Sequence, residues 1–245
     1  MSTIQLSIVI PAYKESLRLP ANLHKICRYL ENKNFNKENS EIIIVLEDCD
    51  DKDITKSGIQ HSKKEFPDLN IIVMENDARY GKGYTVKRGV MASQGQYILM
   101  TDADLSVPIE ELSTIWNYLM DKKLDCVIGK RKQIVKQPPH RKLMGWVFRN
   151  LTKKILKMNF FDTQCGYKLF TFDFGHTIFE KVTIPGFGFD IEMLSLGLQY
   201  NYRIGEKEVK WYDDARSTVD PIKDSIIMFK NLLEVRKVIQ LENKG

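Results

Sequence analysis

The sequence predicts an α/β fold, with a mostly parallel central sheet flanked by helices and a C-terminal helical extension. Three observations carry this. Short runs rich in Ile and Val, apolar at nearly every position, recur along the first half of the 245 residues, as strands buried on both faces require. Segments with apolar residues at helical spacing separate them, and β and α units alternating at this length build parallel sheets. Polar and ionisable residues gather directly after each run, where loops at the carboxyl ends of parallel strands hold ligands.

The first run is Leu6-Ser7-Ile8-Val9-Ile10, followed by Pro11-Ala12-Tyr13-Lys14-Glu15. Pro20 suits the first turn of a helix, and Leu23, Ile26, Cys27 and Leu30 then share one helical face. The second run, Glu41 to Leu46, leads into Glu47-Asp48-Cys49-Asp50-Asp51-Lys52-Asp53 and a second helix from Asp53 to Glu65. The third, Asn70 to Met74, leads into Asp77-Ala78-Arg79-Tyr80-Gly81-Lys82-Gly83, with a helix starting near Lys82. The fourth, Tyr97 to Met100, leads into Asp102-Ala103-Asp104 and a helix from near Pro108 through Leu112, Ile115 and Leu119. Cys126-Val127-Ile128 reads as a further short strand. After Pro221, the residues Ile222, Ile226, Phe229, Leu232, Leu233 and Ile239 fit a helix of roughly 20 residues. The expected organisation is one domain over 1–220 and a terminal amphipathic helix over 221–245. That helix is a candidate for docking on the domain, for self-association into a homo-oligomer, or for resting on a membrane.

A hydrophobic content of 43%, a charged fraction of 28% and a mean hydropathy of −0.31 describe a globular chain. A net charge of +5 is too mild to imply nucleic acid. The four cysteines are scattered without a CxxC pair, which reads as reduced thiols in a cytoplasmic protein and excludes a zinc cluster. No apolar stretch approaches the roughly 20 residues of a membrane span, and no signal segment opens the chain. A soluble or membrane-peripheral protein is expected.

Residues at i and i+2 on an extended chain leave the same face. Asp102 and Asp104 can therefore share one hard cation or its waters. A divalent ion held there could bridge a nucleotide's two phosphates and neutralise charge on a departing diphosphate. The alternative is a pair of solvated aspartates capping the next helix. Glu47 and Asp48, directly after their strand, are candidates to accept hydrogen bonds from a base or ribose. Asp50 and Asp51 are expected to be solvated, and Asp53 to cap its helix. Gly81-Lys82-Gly83 offers backbone N–H groups and an ammonium to phosphate, or is simply a tight turn.

Together these loops resemble family 2 glycosyltransferases of the GT-A fold. Ser7 to Glu15 resembles the family's opening, and Leu46-Glu47-Asp48 with Asp53 and Thr55 resembles its second-strand acidic motif. Gly81-Lys82-Gly83 with Arg88-Gly89 matches the next block. Thr101-Asp102-Ala103-Asp104-Leu105-Ser106 resembles the metal-binding motif. Asp162-Thr163-Gln164-Cys165-Gly166-Tyr167-Lys168-Leu169-Phe170 and Phe189-Asp190-Ile191-Glu192-Met193-Leu194 are similar to the branch that makes polyprenyl-phosphate sugars. Within it they look more like the dolichyl-phosphate glucosyltransferases than the mannosyl synthases. The resemblance runs from about Leu6 to about Arg236. It implies that Pro11, Ala12, Tyr13, Glu15 and Asp48 surround the base and ribose. Asp102 and Asp104 would hold Mg2+ or Mn2+, with Ala103 between them in the donor site. Lys82 and Arg131 would lie near phosphate or the donor sugar, and Asp162, Gln164, Lys168, Asp190 and Glu192 would line the sugar and acceptor side. The family inverts the anomeric centre by a single displacement. One departure is Cys49-Asp50, which replaces the usual Gly-Ser after the second-strand acids.

A sugar hydroxyl needs a positioned carboxylate as general base, for which Asp190 and Glu192 are the candidates; they are equally candidates for sugar binding alone. A lipid monophosphate is already ionised at pH 7 and needs cations instead. Between Asp125 and Asp162 no acid occurs, while ten Lys or Arg side chains run from Lys130 to Lys157. Leu143, Val147, Leu151, Ile155 and Met158 share one helical face, opposite Lys142, Arg149, Lys153 and Lys157. Segment 141–160 therefore either lies on an anionic membrane surface or packs on the core with a solvated basic face. Arg216, in a loop resembling one that closes over the diphosphate, is a candidate phosphate contact. The sequence points to hexose transfer, glucose from UDP-glucose, onto a polyprenyl or dolichyl phosphate. The rival readings are a soluble or protein-linked glycan acceptor with a UDP- or GDP-sugar donor, and a nucleotide-sugar-binding module without catalysis.

Overall fold

The computed structural model describes residues 4–32, 39–132, 150–156, 158–212 and 230–238. In chain order the elements are β1 (Leu6–Ala12), α1 (Leu19–Asn32), β2 (Ser40–Leu46), α2 (Lys52–Glu65), β3 (Asn70–Glu75) and α3 (Lys82–Ala92). Next come β4 (Tyr97–Met100), α4 (Glu111–Lys122), β5 (Cys126–Lys132) and a helical stretch, α5, over 150–156. The chain continues with β6 (Lys168–Thr171), α6 (Phe172–Lys181), α7 (Phe189–Gln199), β7 (Ile204–Lys210) and a helical stretch, α8, over 230–238.

Seven strands form one sheet in the order β3-β2-β1-β4-β6-β5-β7. β1 pairs in parallel with β2 and β4, β2 with β3, and β5 with β7, while β6 runs antiparallel to both its neighbours. The expected α/β architecture, mostly parallel and flanked by helices, is what the chain adopts. β2 is buried at every position, which explains why the apolar runs do not alternate. β6 and β7 were not among the expected strands. β6 has four residues and starts with a lysine, and β7 (Ile-Gly-Glu-Lys-Glu-Val-Lys) is a charged edge strand. Charge on an edge protects it from pairing with other chains and removes the apolar signature that reveals inner strands.

The helix expected near Pro108 begins at Glu111, after a turn over Ile109 and Glu110. Within α5, Leu151 and Ile155 pack against the core, with Lys153 and Lys154 facing outward, and Met158 is buried just beyond it. In this part of segment 141–160 the apolar face is therefore spent on the core, and the basic face alone is open to a surface. Residues 141–149 and Lys157 lie outside the described residues, as do Arg216 and residues 221–229 and 239–245 of the expected terminal helix. In α8, Leu232 and Val235 join the main core and Asn231 lies against Gly188 at the start of α7.

Candidate active site

Parallel strands deliver their carboxyl ends to one edge, and the loops after β1, β2, β3 and β4 meet there. After β1, the half-buried Tyr13 ring carries the Arg79 guanidinium at 4.3 Å, and Glu15 holds Arg18 through two oxygens, at 2.5 and 2.7 Å. Burial pushes the Glu15 carboxyl above its ordinary range, although Arg18 opposes the shift. Pro11 and Ala12 close β1, and the Ala12 carbonyl accepts from the Glu47 N–H at 2.9 Å.

The Glu47 carboxylate does something other than expected. Its oxygens accept from the Tyr80 N–H (2.9 Å), the Gly81 N–H (2.6 Å) and the Thr85 hydroxyl (2.6 Å), and the side chain is buried. Buried, it clamps the turn into α3, a placement that differs from the base-contacting role read from its position in the sequence. That turn passes through Gly81 at φ 107, a conformation closed to side chains with a Cβ. Asp51, expected to be solvated, accepts from the Ser16 N–H and the Cys49 thiol, both at 3.0 Å, and so ties this loop to the one after β1. Asp51, not Asp53, stands at the N-cap position of α2. Asp48 stays on the surface, paired with Lys52 at 2.7 Å.

The loop after β4 turns at Ala103 and Asp104, with Ala103 buried and its carbonyl held by the Asn22 amide at 3.0 Å. Asp102 and Asp104 line one cleft of about 170 Å3 with Ser106, Arg131, Gln164, Gly166 and Trp211 among its walls. The Lys82 ammonium reaches Asp102 Oδ1 at 2.5 Å. Burial drives the Asp102 carboxyl up, but the charge and hydrogen bond of Lys82, with Lys168 and Arg131 beyond, outweigh it and hold it below its ordinary value. Asp104 Oδ1 accepts from the Ser106 N–H at 2.9 Å, and Oδ2 faces Arg18 at 4.0 Å.

Behind this pair lies a buried one. Lys168, with 0% side-chain exposure, donates to Asp190 Oδ1 at 2.5 Å and to the Cys165 carbonyl at 2.6 Å. Burial raises the Asp190 carboxyl above its ordinary range despite Lys168 and Lys82. On the far wall, Arg131 grips Asp162 through two 2.7 Å bonds and lies 5.6 Å from the Trp211 ring. Cys165 also lines the cleft, and burial pushes its thiol up to about 12, which leaves no thiolate to act as nucleophile.

Glu192 is the second carboxylate whose placement corrects an expectation. Fully buried, it accepts from the Thr183 N–H (2.9 Å), the Thr183 hydroxyl (2.7 Å) and the Ile184 N–H (2.8 Å). These three bonds hold the loop before α7 and make the buried carboxylate an anchor for that loop. Trp211 and Gly166 are cleft residues that sequence reasoning did not single out. Trp211 follows β7, so the rule that ligand groups follow strand ends would have found it had β7 been recognised.

Two carboxylates, completed by diphosphate oxygens and water, form the oxygen-rich donor set that Mg2+ or Mn2+ takes. Among the described residues no cluster of three or more His, Cys, Asp or Glu could hold an ion alone. Asp102 and Asp104 on one cleft wall therefore fit a divalent ion only where further oxygen ligands come from outside the chain.

The model of one family, described as glycosyl transferase family 2, matches residues 7–179. The chain belongs to glycosyl transferase family 2. Among relatives within the family, the dolichyl-phosphate beta-glucosyltransferase of Dictyostelium discoideum is 31% identical over 245 residues, covering 96% of this chain and 75% of that protein. The dolichyl-phosphate beta-glucosyltransferase of Homo sapiens is 28% identical over 246 residues, with 96% and 75% covered. A solved structure of glucosyl-3-phosphoglycerate synthase from Mycobacterium tuberculosis with Mn2+ and UDP-glucose superposes with a TM-score of 0.69. Its identity is 16%, and 95% of this chain and 79% of that one are covered. The Pyrobaculum calidifontis mannosyltransferase PcManGT, with GDP-Man and Mn2+, gives a TM-score of 0.60 at 17% identity, with 98% and 70% covered. The fold of this family member is thus GT-A. Among its described residues no helix is long and apolar enough to cross a membrane.

Proposed function

We propose that this family member transfers glucose from UDP-glucose to a polyprenyl phosphate of the dolichyl type, inverting the anomeric centre. The observation that carries the acceptor class is that both candidate bases, Asp190 and Glu192, and most of the other carboxylates near the cleft already have partners. Asp102 has Lys82, Asp162 has Arg131, Asp190 has Lys168, Glu15 has Arg18, and Glu192 takes three donors. Such a site suits a nucleophile that needs no base. A phosphate monoester is one: its oxygen bonds to the anomeric carbon as the bond to the β-phosphate of UDP breaks, and no proton has to move. The relatives named above, called dolichyl-phosphate beta-glucosyltransferases, support the same acceptor and sugar.

The chain's own groups then divide the work. Tyr13, with Arg79 stacked on it, offers a face to the base, and Asp48 an acceptor for its N–H groups. Asp102 and Asp104 would hold Mg2+ or Mn2+ at the diphosphate. When bound, the ion supplies Lewis-acid stabilisation of the leaving UDP. Lys82 and Arg131 place positive charge where two anions must meet. Gln164 and Asp162 face the sugar from the opposite wall. The outward lysines of α5 support a peripheral association with an anionic bilayer, where a lipid phosphate is met.

The direct test is transfer from labelled UDP-glucose, with GDP-mannose as competitor donor, to a short-chain polyprenyl phosphate in Mg2+ or Mn2+. Glucosyl-phosphoryl lipid is the expected product, and Asp104→Asn is expected to reduce it by at least about a hundredfold with an unchanged melting temperature. Extension of a free glycan with no lipid product would overturn the reading.

A further inference from the structure

Lys82 is the first residue of α3, and its backbone is fixed from both sides. Glu47 clamps the preceding Tyr80 and Gly81, and the Tyr84 N–H bonds to the Pro185 carbonyl at 3.1 Å, on the loop that Glu192 holds. The side chain is less constrained. It reaches Asp102 Oδ1 at 2.5 Å with 21% of its surface still open, and its ammonium lies 5.9 Å from the exposed Phe187 ring. The other Asp102 oxygen is packed against Gly166, where even a Cβ would come within 2.0 Å. Asp102 therefore has one oxygen against backbone and the other under an ammonium. A divalent ion cannot share Oδ1 with that ammonium at close range, because like charges a few ångström apart repel strongly in a partly dehydrated cleft.

We propose that Lys82 is an exchangeable counter-cation of the Asp102–Asp104 site. In the protein without donor it neutralises Asp102, and on donor binding it leaves Asp102 for the diphosphate. Metal binding by the free protein is then weak and becomes tight only with the nucleotide. The diphosphate supplies what the exchange needs, namely further oxygens for the ion and an anionic destination for the displaced ammonium. The inference rests on the reading of Asp102 and Asp104 as metal ligands. It adds a sign that this reading alone does not contain: removing the Lys82 charge strengthens binding of the ion and weakens binding of the nucleotide.

The test measures Mn2+ binding to the full chain from the paramagnetic signal of free Mn2+, without nucleotide and with UDP, alongside UDP binding by calorimetry at saturating Mn2+. Lys82→Met, and Lys82→Gln as a second neutral variant, are compared with the unaltered chain after their folds are checked by circular dichroism. The expected result is Mn2+ binding about tenfold tighter without nucleotide and UDP binding about tenfold weaker, each tenfold being 1.4 kcal/mol. Mn2+ affinity that is unchanged or lower in both variants overturns the proposal. Tighter Mn2+ binding with undiminished UDP binding overturns the exchange, because Lys82 would then have no part at the diphosphate. Asp104→Asn separates this from the underlying assignment. If that variant keeps Mn2+-dependent UDP binding, the metal reading itself is wrong; if it loses it while the Lys82 variants match the unaltered chain, only the exchange is wrong.

Discussion

Replacing Gly166 by alanine probes how tightly the Asp102 carboxylate, the proposed metal ligand, is placed. A Cβ at this position would lie 2.0 Å from Asp102 Oδ2, 2.4 Å from Cγ and 2.7 Å from Oδ1. The whole carboxylate lies within the reach of one methyl group, so either Asp102 rotates away from Lys82 or the loop carrying Gln164 and Cys165 shifts. Overpacking of this kind costs about 1–3 kcal/mol. For a chain of this size that lowers the melting temperature by roughly 2–4 °C for each kcal/mol. The larger effect is on chemistry, because displacing a positioning group by about 1 Å costs on the order of a hundredfold in rate. The assay is kcat/KM for transfer from UDP-glucose at saturating Mn2+, read together with a calorimetric melt. The expected outcome is a loss of about a hundredfold in kcat/KM with a melting temperature lowered by no more than about 12 °C. A folded Gly166→Ala protein with unaltered kinetics would refute the reasoning, because Asp102 would then not be needed where it stands.

Glu192→Gln leaves one of three buried N–H or O–H donors facing an amide N–H, so a stability loss of about 1–3 kcal/mol in urea is expected, with kcat within about tenfold of the unaltered value. A fall in kcat beyond a hundredfold at unchanged stability would make Glu192 a base after all, since general bases contribute about that much or more. Lys168→Met strands the Asp190 carboxylate in the interior, with an expected cost of about 3–5 kcal/mol in denaturant unfolding. An undiminished midpoint would mean that the buried pair is not intact. The Arg203 guanidinium bonds Asp125 at 3.1 Å on the surface and holds that carboxyl below its ordinary value of 3.8, although partial burial pushes the other way. A depressed folded pKa means that the unfolded chain binds more protons on acidification. The contribution is therefore complete above pH 3.8 and fades as pH falls below it. Arg203→Met is expected to cost under about 1 kcal/mol at pH 7 and progressively less below that point. A difference that stays constant with pH would contradict the pairing.

The strands β1 to β4, the helices between them and the edge of the sheet where the ligand loops gather are all legible in the amino-acid order. All of these rest on local signals: near-continuous apolarity, helical spacing and the placing of Asp102-Ala103-Asp104 directly after a strand. The motifs in order were enough to place the chain in its family. The partner that each ionisable group faces emerges only on folding. Glu47 and Glu192 carry the same charge as Asp102 and sit in equally acidic motifs, yet both are spent on loop N–H groups, because the loops entering α3 and α7 have buried amides to satisfy. Lys168 and Asp190 are 22 residues apart, and Gly166 and Asp102 are farther apart still. Their meeting depends on β6 inserting antiparallel between β4 and β5. A strand of four residues carries too little pattern to announce that pairing. Asp102 and Asp104 could thus be picked out as a pair from the chain alone, whereas the glycine that packs against one of them and the lysine that shares its charge are products of the sheet order.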